Sequence, residues 1–304
     1  MDRFLQNFPI QKITPSDSLF PETLKNIAEA PQELFFRGNF KPNEKFFAIV
    51  GTRLPSNYGK EIAFSIAKDL SQAGFCIVSG MALGIDTWSH KGALKNYSVQ
   101  ISGRRTSANF CSTMAVFGTG LSENVIYPQE NLKLAKEILE KNGCLISEYS
   151  PETRGANFTF PKRNRIIAGL SAGVLVVEAK IKSGALITAK YAKKYKKPIF
   201  AIPGDIHNQN SKGPHLLIKQ GAKLVESAND ILKELGEEKT NQTQNLFLPP
   251  EELLVASALE NGPLHIDKII EITKLPSQAI SGIICIMELE DKIKNLGGNI
   301  YSLN

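Results

Sequence analysis

Six short runs of almost purely apolar residues recur along the chain: "FFAIV" (46–50), "FCIVS" (75–79), "TMAVFG" (113–118), "CLISEY" (144–149), "GVLVVEA" (173–179) and "PIFAI" (198–202). Helix-length amphipathic segments lie between them, for example 59–73 and 185–196. Runs apolar at every position suit strands buried on both faces. Strands alternating with helices make a parallel sheet covered on both sides. The predicted fold class is therefore α/β, an extended Rossmann-like parallel sheet with helices on both faces. In such sheets ligands sit beyond the carboxyl ends of the strands, so the residues after each strand carry the functional information.

A chain of 304 residues is too long for one small core, and a main domain of roughly 200 residues with a smaller companion is expected. Residues 1–44 read as a lead-in segment and 45–235 as the Rossmann-like domain. Residues 236–250, "GEEKTNQTQNLFLPP", read as a linker. In 251–304, "EELLVASALE", "HIDKIIEIT" and "PSQAISGIICIMELEDK" read as three helices, the last opened by a proline suited to a first helical turn. "IKNLGGNIYSL" follows as a hairpin signal, and three helices plus a hairpin form a winged-helix pattern. Charge divides along the same boundary. The chain carries +6 in total, yet residues 249–304 hold four lysines against eight acids. The basic surplus therefore belongs to the large domain, which suits a polyanionic partner.

Four post-strand loops share one chemistry. Gly51-Thr52-Arg53 follows the first run, Ser79-Gly80 the second, Gly118-Thr119-Gly120 the third and Lys182-Ser183-Gly184 the fifth. Glycine admits a ligand close to the backbone, and helix N-termini present amides to it. A tight turn explains any one such glycine; several at one sheet edge make a long anion-binding rim. No G-x-x-x-x-G-K-[ST] run is present, and Gly118-x-Gly120 lacks the third glycine of a dinucleotide fingerprint. In "NFTFPKRNRIIAGLS" (157–171), Arg163, Asn164 and Arg165 follow two phenylalanines. Arginines that hold a backbone beside an aromatic that stacks on a base are the means of single-strand binders. Phe158 is expected in the core and Phe160 at the base. Seven lysines and no acid occupy 180–197, with Lys190, Lys193, Lys194 and Lys197 on one helical face. Asp86 and His90, four apart, read as a brace of their own helix rather than an acid–base pair. Four histidines and four scattered cysteines show no metal-ligand spacing, so no metal or cofactor is expected. Reduced thiols, no secretory h-region and apolar runs far short of the ~20 residues of a membrane span suggest a cytoplasmic protein.

Taken in order, "AIVGTR", "IVSGMALGIDTWSH", "GTGLSENVIYPQEN", "LISEY", "FPKRNRIIAGLS", "VVEAKIKSGALITAKYA" and "AIPGD…SKGPHLLIKQGAKLV" resemble the DprA/Smf family, DNA-processing protein A, over about residues 15–235. The resemblance implies an extended Rossmann-like domain that binds single-stranded DNA without cutting it. It also implies homodimers that protect incoming DNA and load RecA recombinase onto it during natural transformation, the competence pathway of DNA recombination. By the same resemblance Arg53 is the chief DNA anchor, and Ser79, Gly80, Phe160, Arg163 and the Ser183-Gly184 loop fall in the matching pocket. Residues Gly51, Thr52, Asn164, Arg165 and Lys190 complete the candidate set. One departure is "KNYSVQISGRRTSANFCST", longer than the family pattern and carrying Arg104 and Arg105 side by side. A second reading is an enzyme, a nucleoside-monophosphate phosphoribohydrolase of the lysine-decarboxylase-like fold. "KIKSGALIT" lacks the Gly-Gly-x-Gly-Thr loop and following glutamate of that group, and with them the carboxylate for a ribosyl cation.

Overall fold

The computed structural model describes residues 7–95, 110–237, 250–259, 262–289 and 292–303. Arg104 and Arg105 of the long insertion, and residues 238–249 of the expected linker, lie outside the described residues. Two compact units divide the chain at Glu238 and Lys239.

The large unit runs β1 (Gln11–Ile13), α1 (Glu22–Lys25), β2 (Leu34–Gly38), β3 (Lys45–Val50), α2 (Asn57–Gln72), β4 (Phe75–Ser79), α3 (Ile85–Lys95), β5 (Thr113–Phe117), α4 (Leu132–Glu140) and β6 (Cys144–Ser147). It continues with α5 (Thr159–Leu170), β7 (Val174–Val176), α6 (Gly184–Lys194), β8 (Ile199–Ala201), α7 (Lys212–Lys219), β9 (Lys223–Leu224) and α8 (Ala228–Glu234). The sheet order is β1-β2-β6-β5-β4-β3-β7-β8-β9. From β6 to β9 every neighbouring pair is parallel.

The lead-in changes the expected picture at one edge. Its "LFFRG" forms β2, antiparallel to β6, and β1 pairs antiparallel outside it. The sheet is thus mixed, and Phe20, Leu24 and Leu34 of the lead-in are buried in its core. An antiparallel partner needs no crossover helix, so the strand–helix alternation carries no trace of it.

Alternation along the strands sends side chains to both faces of the sheet. Ala48, Val50, Val78, Val116 and Val176 meet α5 and α6 through Ile166, Ile167, Ala185 and Ala189. Phe47, Ile49, Ile77 and Leu175 meet α2, α3 and α8 through Ile66, Leu70, Ile85 and Ile231. Helix α2 buries one stripe through Ala63, Ile66, Ala67 and Leu70, whereas α5 is buried at every position from Arg165 to Leu170. The chain order reverses between β3 and β7, the topological switch point where an open sheet leaves a crevice.

The small unit contains α9 (Pro250–Leu259), β10 (Leu264–His265), α10 (Ile266–Thr273), α11 (Ser277–Leu289), β11 (Ile293–Gly297) and β12 (Ile300–Leu303). Its sheet order is β10-β12-β11, and Val255, Ile269, Ile280, Ile284 and Tyr301 fill its core. Three helices and a hairpin were expected; the two-residue β10 is additional. No single helix among the described residues is long and apolar enough to cross a membrane.

Candidate nucleic-acid interface

At the switch point, β3 ends in Gly51-Thr52-Arg53 and β7 runs into Glu178 and Lys180. The first loop is pinned on both sides. The Thr52 amide donates to the Glu178 carbonyl at 2.7 Å, and the Thr52 carbonyl accepts from the Ile85 amide at 3.1 Å. A Cβ on Gly51 would lie 2.5 Å from the Ile85 side chain and 2.9 Å from the Glu178 carbonyl. Only glycine lets the strands approach this closely. The turn thrusts Arg53 outward, where it is exposed and makes no hydrogen bond or ion pair among the described residues.

The helix that follows β3 is closed to outside anions. Ser56 caps α2, its hydroxyl accepting from the Gly59 amide at 3.1 Å. Buried Glu178 accepts from the Ser56 amide at 2.9 Å and from the Ser56 hydroxyl at 2.5 Å. A carboxylate of the chain itself therefore answers the partial positive charge of this helix start. That is where a Rossmann dinucleotide would place its pyrophosphate.

The helix that follows β7 starts differently. Ser183 caps α6 by accepting from the Ala185 amide at 3.3 Å. Gly184 is exposed, with open space where a Cβ would stand. Its start opens into a cleft of about 900 Å³, lined by Gly51, Thr52, Arg53, Phe160, Arg163, Asn164, Ser183 and Gly184 among others. Five cationic side chains reach this lining: Arg53, Arg154, Arg163, Lys180 and Lys182. Asp86 is the one carboxylate among the described lining residues. The cleft is thus a cationic trough several groups long, suited to a chain of phosphates.

Its floor is held by buried polar groups. Arg163 donates through Nη1 to the Gly80 carbonyl at 2.7 Å and to the Val116 carbonyl, and through Nε to Asn164 Oδ1 at 3.1 Å. Asn164 in turn donates to the Gly184 carbonyl at 3.2 Å. One residue pair thereby ties the ends of β4 and β5 to the start of α6. Burial lowers the Arg163 guanidinium to about 10, with Asp86 opposing that shift. Asp86 accepts from the Gly80 and Ala82 amides at 3.1 and 3.2 Å, and burial raises its carboxyl above the usual range. A Cβ on Gly80 would meet both, at 2.6 Å from Arg163 Nη2 and 2.7 Å from Asp86 Oδ2. His90 bonds Thr113 Oγ1 through Nδ1 at 2.6 Å, and burial, then nearby Arg163, lowers it to about 3. Asp86 and His90 each brace a different element and share no hydrogen bond in the structure.

Several candidate residues lie away from the cleft wall. Ser79 is fully buried and its hydroxyl donates to the Ile49 carbonyl at 2.6 Å. Arg165 is buried against Glu148 as an ion pair, the alternative that a flanking carboxylate always offers an arginine. Gly80 opens only on a side recess shared with Arg53 and Phe160. Lys190 is exposed further along α6, outside the cleft lining. Phe158 corrects the core expectation: it is 71 % exposed, because it stands just before α5, outside the helical stripe. Phe160 is partly buried on the cleft wall, its ring 5.6 Å from that of Tyr127. Tyr127 and Arg154 are exposed wall residues that the sequence reading passed over. The "TRG" between β6 and α5 was a visible signal for Arg154, a cation beside glycine after a strand.

Known proteins similar to this chain fall in one family. The family model for DNA recombination-mediator protein A matches residues 11–236, and that for the DprA winged helix domain matches residues 237–299. DNA processing protein DprA of Bacillus subtilis is 41% identical over 237 residues, 77% of this chain and 74% of that protein. Protein Smf of Escherichia coli is 41% identical over 229 residues, 75% of this chain but only 57% of its own length. Among solved structures, DprA from Streptococcus pneumoniae superposes with a TM-score of 0.65 at 39% identity, covering 76% of each chain. DNA processing protein A from Helicobacter pylori, described for its single-stranded DNA binding mode, superposes with a TM-score of 0.63 at 28% identity, covering 76% of this chain and 97% of that one. With both units accounted for, the chain belongs to the DprA/Smf family of DNA recombination mediators.

Proposed function

We propose that the large unit binds single-stranded DNA along the carboxyl edge of its sheet, without cutting it. Arg53 is the anchor, the open start of α6 with Lys180 and Lys182 receives a further phosphate, and Phe160 with Tyr127 offers faces for bases. The observation that carries this reading is the exposed, unbonded Arg53 at the mouth of a trough with five cations and one buried carboxylate. A non-catalytic role is supported by how the polar groups are used. Asp86, His90 and Glu178 are buried, and their hydrogen bonds go to the protein itself. A phosphoribohydrolase would need a free carboxylate beside the α6 loop, where this chain has Lys180 and Lys182. As a recombination mediator, the protein acts in the cytoplasm as a homodimer and passes the bound strand to RecA recombinase.

The test is fluorescence anisotropy with single- and double-stranded oligonucleotides of equal length across a salt series. Single strands should bind more tightly, with affinity falling as salt rises. Arg53→Ala should lose ten- to a hundredfold, as expected for a charge-assisted contact of ~1.5–3 kcal/mol, while the melting temperature stays unchanged. A folded Arg53→Ala protein with full affinity overturns the assignment. RecA loading is read separately, as faster filament growth on a single strand already coated by a single-strand binding protein.

A further inference from the structure

We infer that Glu44, Cys76 and Cys111 form a structural site for one thiophilic divalent cation, best matched by zinc. The pair of cysteines is 35 residues apart in sequence, so no ligand spacing shows in the chain. The fold brings them together because β4, which carries Cys76, and β5, which Cys111 precedes, are neighbours. Their sulfurs are 3.5 Å apart and both are fully buried. Two thiolates on one tetrahedral zinc, each bonded at ~2.3 Å, stand roughly 3.8 Å apart, so little movement is required.

Glu44, just before β3, supplies a third donor: its carboxylate oxygen and the two sulfurs all lie within 4.8 Å of one another. Oε1 accepts from the Cys111 amide at 3.1 Å, which fixes the carboxylate. Oε2 is shut off from solvent and has no hydrogen-bond partner. A buried carboxylate oxygen without a partner is costly in a core, and a bound cation removes that cost. Cys144 on β6 is a further fully buried thiol. Sulfur donors select zinc over magnesium or calcium. Binding forms two metal–sulfur bonds and one metal–oxygen bond, breaks two S–H bonds with release of two protons to solvent, and displaces waters from the incoming ion.

The site joins the starts of β3, β4 and β5, about 20 Å from the DNA-facing edge by strand length. It is a staple for the sheet and does not depend on the DNA reading. The test uses the full chain, purified without chelator. Mass spectrometry of metal content should find one zinc per chain. Cobalt added to chelator-stripped protein should give a thiolate-to-metal absorption band. Glu44→Gln should weaken zinc affinity at least tenfold, Cys111→Ser should abolish the band, and the exposed Cys285→Ser should leave both readouts unchanged. Glu44→Gln keeps an acceptor for the Cys111 amide, so it guards against loss of the fold in the serine variant. Zinc should also raise the melting temperature of stripped wild-type protein. Less than a tenth of an equivalent of zinc, no cobalt–thiolate band, or a Cys76–Cys111 disulfide in its place each overturns the inference.

Discussion

Two helices begin on either side of the switch point, and they treat their N-termini in opposite ways. Helix α2 has its start filled by Ser56 and by buried Glu178, reached from the neighbouring strand. Helix α6 caps itself with Ser183 and leaves Gly184 and two lysines facing the cleft. The same architecture thus offers two anion sites and uses one internally. A carboxylate at the first helix turns the usual nucleotide cradle into part of the core, and the second start is the one left open to an external anion. The lesson is that a shared sheet topology does not decide which helix start is free. One glutamate does.

The contrast can be broken from either side. Glu178→Ala empties the first helix start and leaves the Ser56 amide and hydroxyl without their acceptor. It should cost about 3 kcal/mol of stability, the sum expected for two buried hydrogen bonds to a carboxylate. Denaturant unfolding measures this, and single-strand affinity of the folded fraction should change less than twofold. Gly184→Glu copies the α2 arrangement onto α6. Open space surrounds that position, so the fold should hold and gain a few tenths of a kcal/mol from the acid at a helix start. Single-strand affinity should fall about tenfold, near 1.4 kcal/mol.

The floor beneath both helices should respond to acid. His90 is held neutral in the fold, with its value lowered from 6.5 to about 3 by burial and then by Arg163. Between those two values the unfolded chain binds a proton that the folded chain refuses. Stability is therefore lost as pH falls through this window, by about 1.4 kcal/mol per pH unit at most. His90→Gln should flatten that part of the stability–pH curve, as followed by thermal melts. The smallest effects belong to the trough walls. Lys182→Ala and Arg154→Ala should each weaken single-strand binding about threefold and reduce the salt slope by about 0.7. A Lys182→Ala protein with an unchanged slope would remove the α6 start from the DNA path.

Much of the frame was legible because buried parallel strands must be apolar throughout. The six runs correspond to β3 to β8, and the reversal between β3 and β7 locates the crevice. Contacts made across the sheet were not legible. The antiparallel placement of β2 against β6 depends on an edge that alternation does not describe. The burial of Arg165 depends on Glu148, seventeen residues before it and on another element. Phe158 and Phe160 look alike in sequence, yet a helix start exposes one and turns the other to the cleft wall. The meeting of Cys76 with Cys111 follows from strand order alone, which no local spacing encodes.

The outermost strands of the sheet have a consequence of their own. At one margin lies β1 with three residues, two of them exposed, and at the other β9 with two, both exposed. Margins this short offer few unpaired backbone groups for another polypeptide to zip onto. The large sheet therefore presents little edge along which a second copy could extend it. Such margins work against edge-to-edge growth of the large sheet while its interior strands stay fully paired.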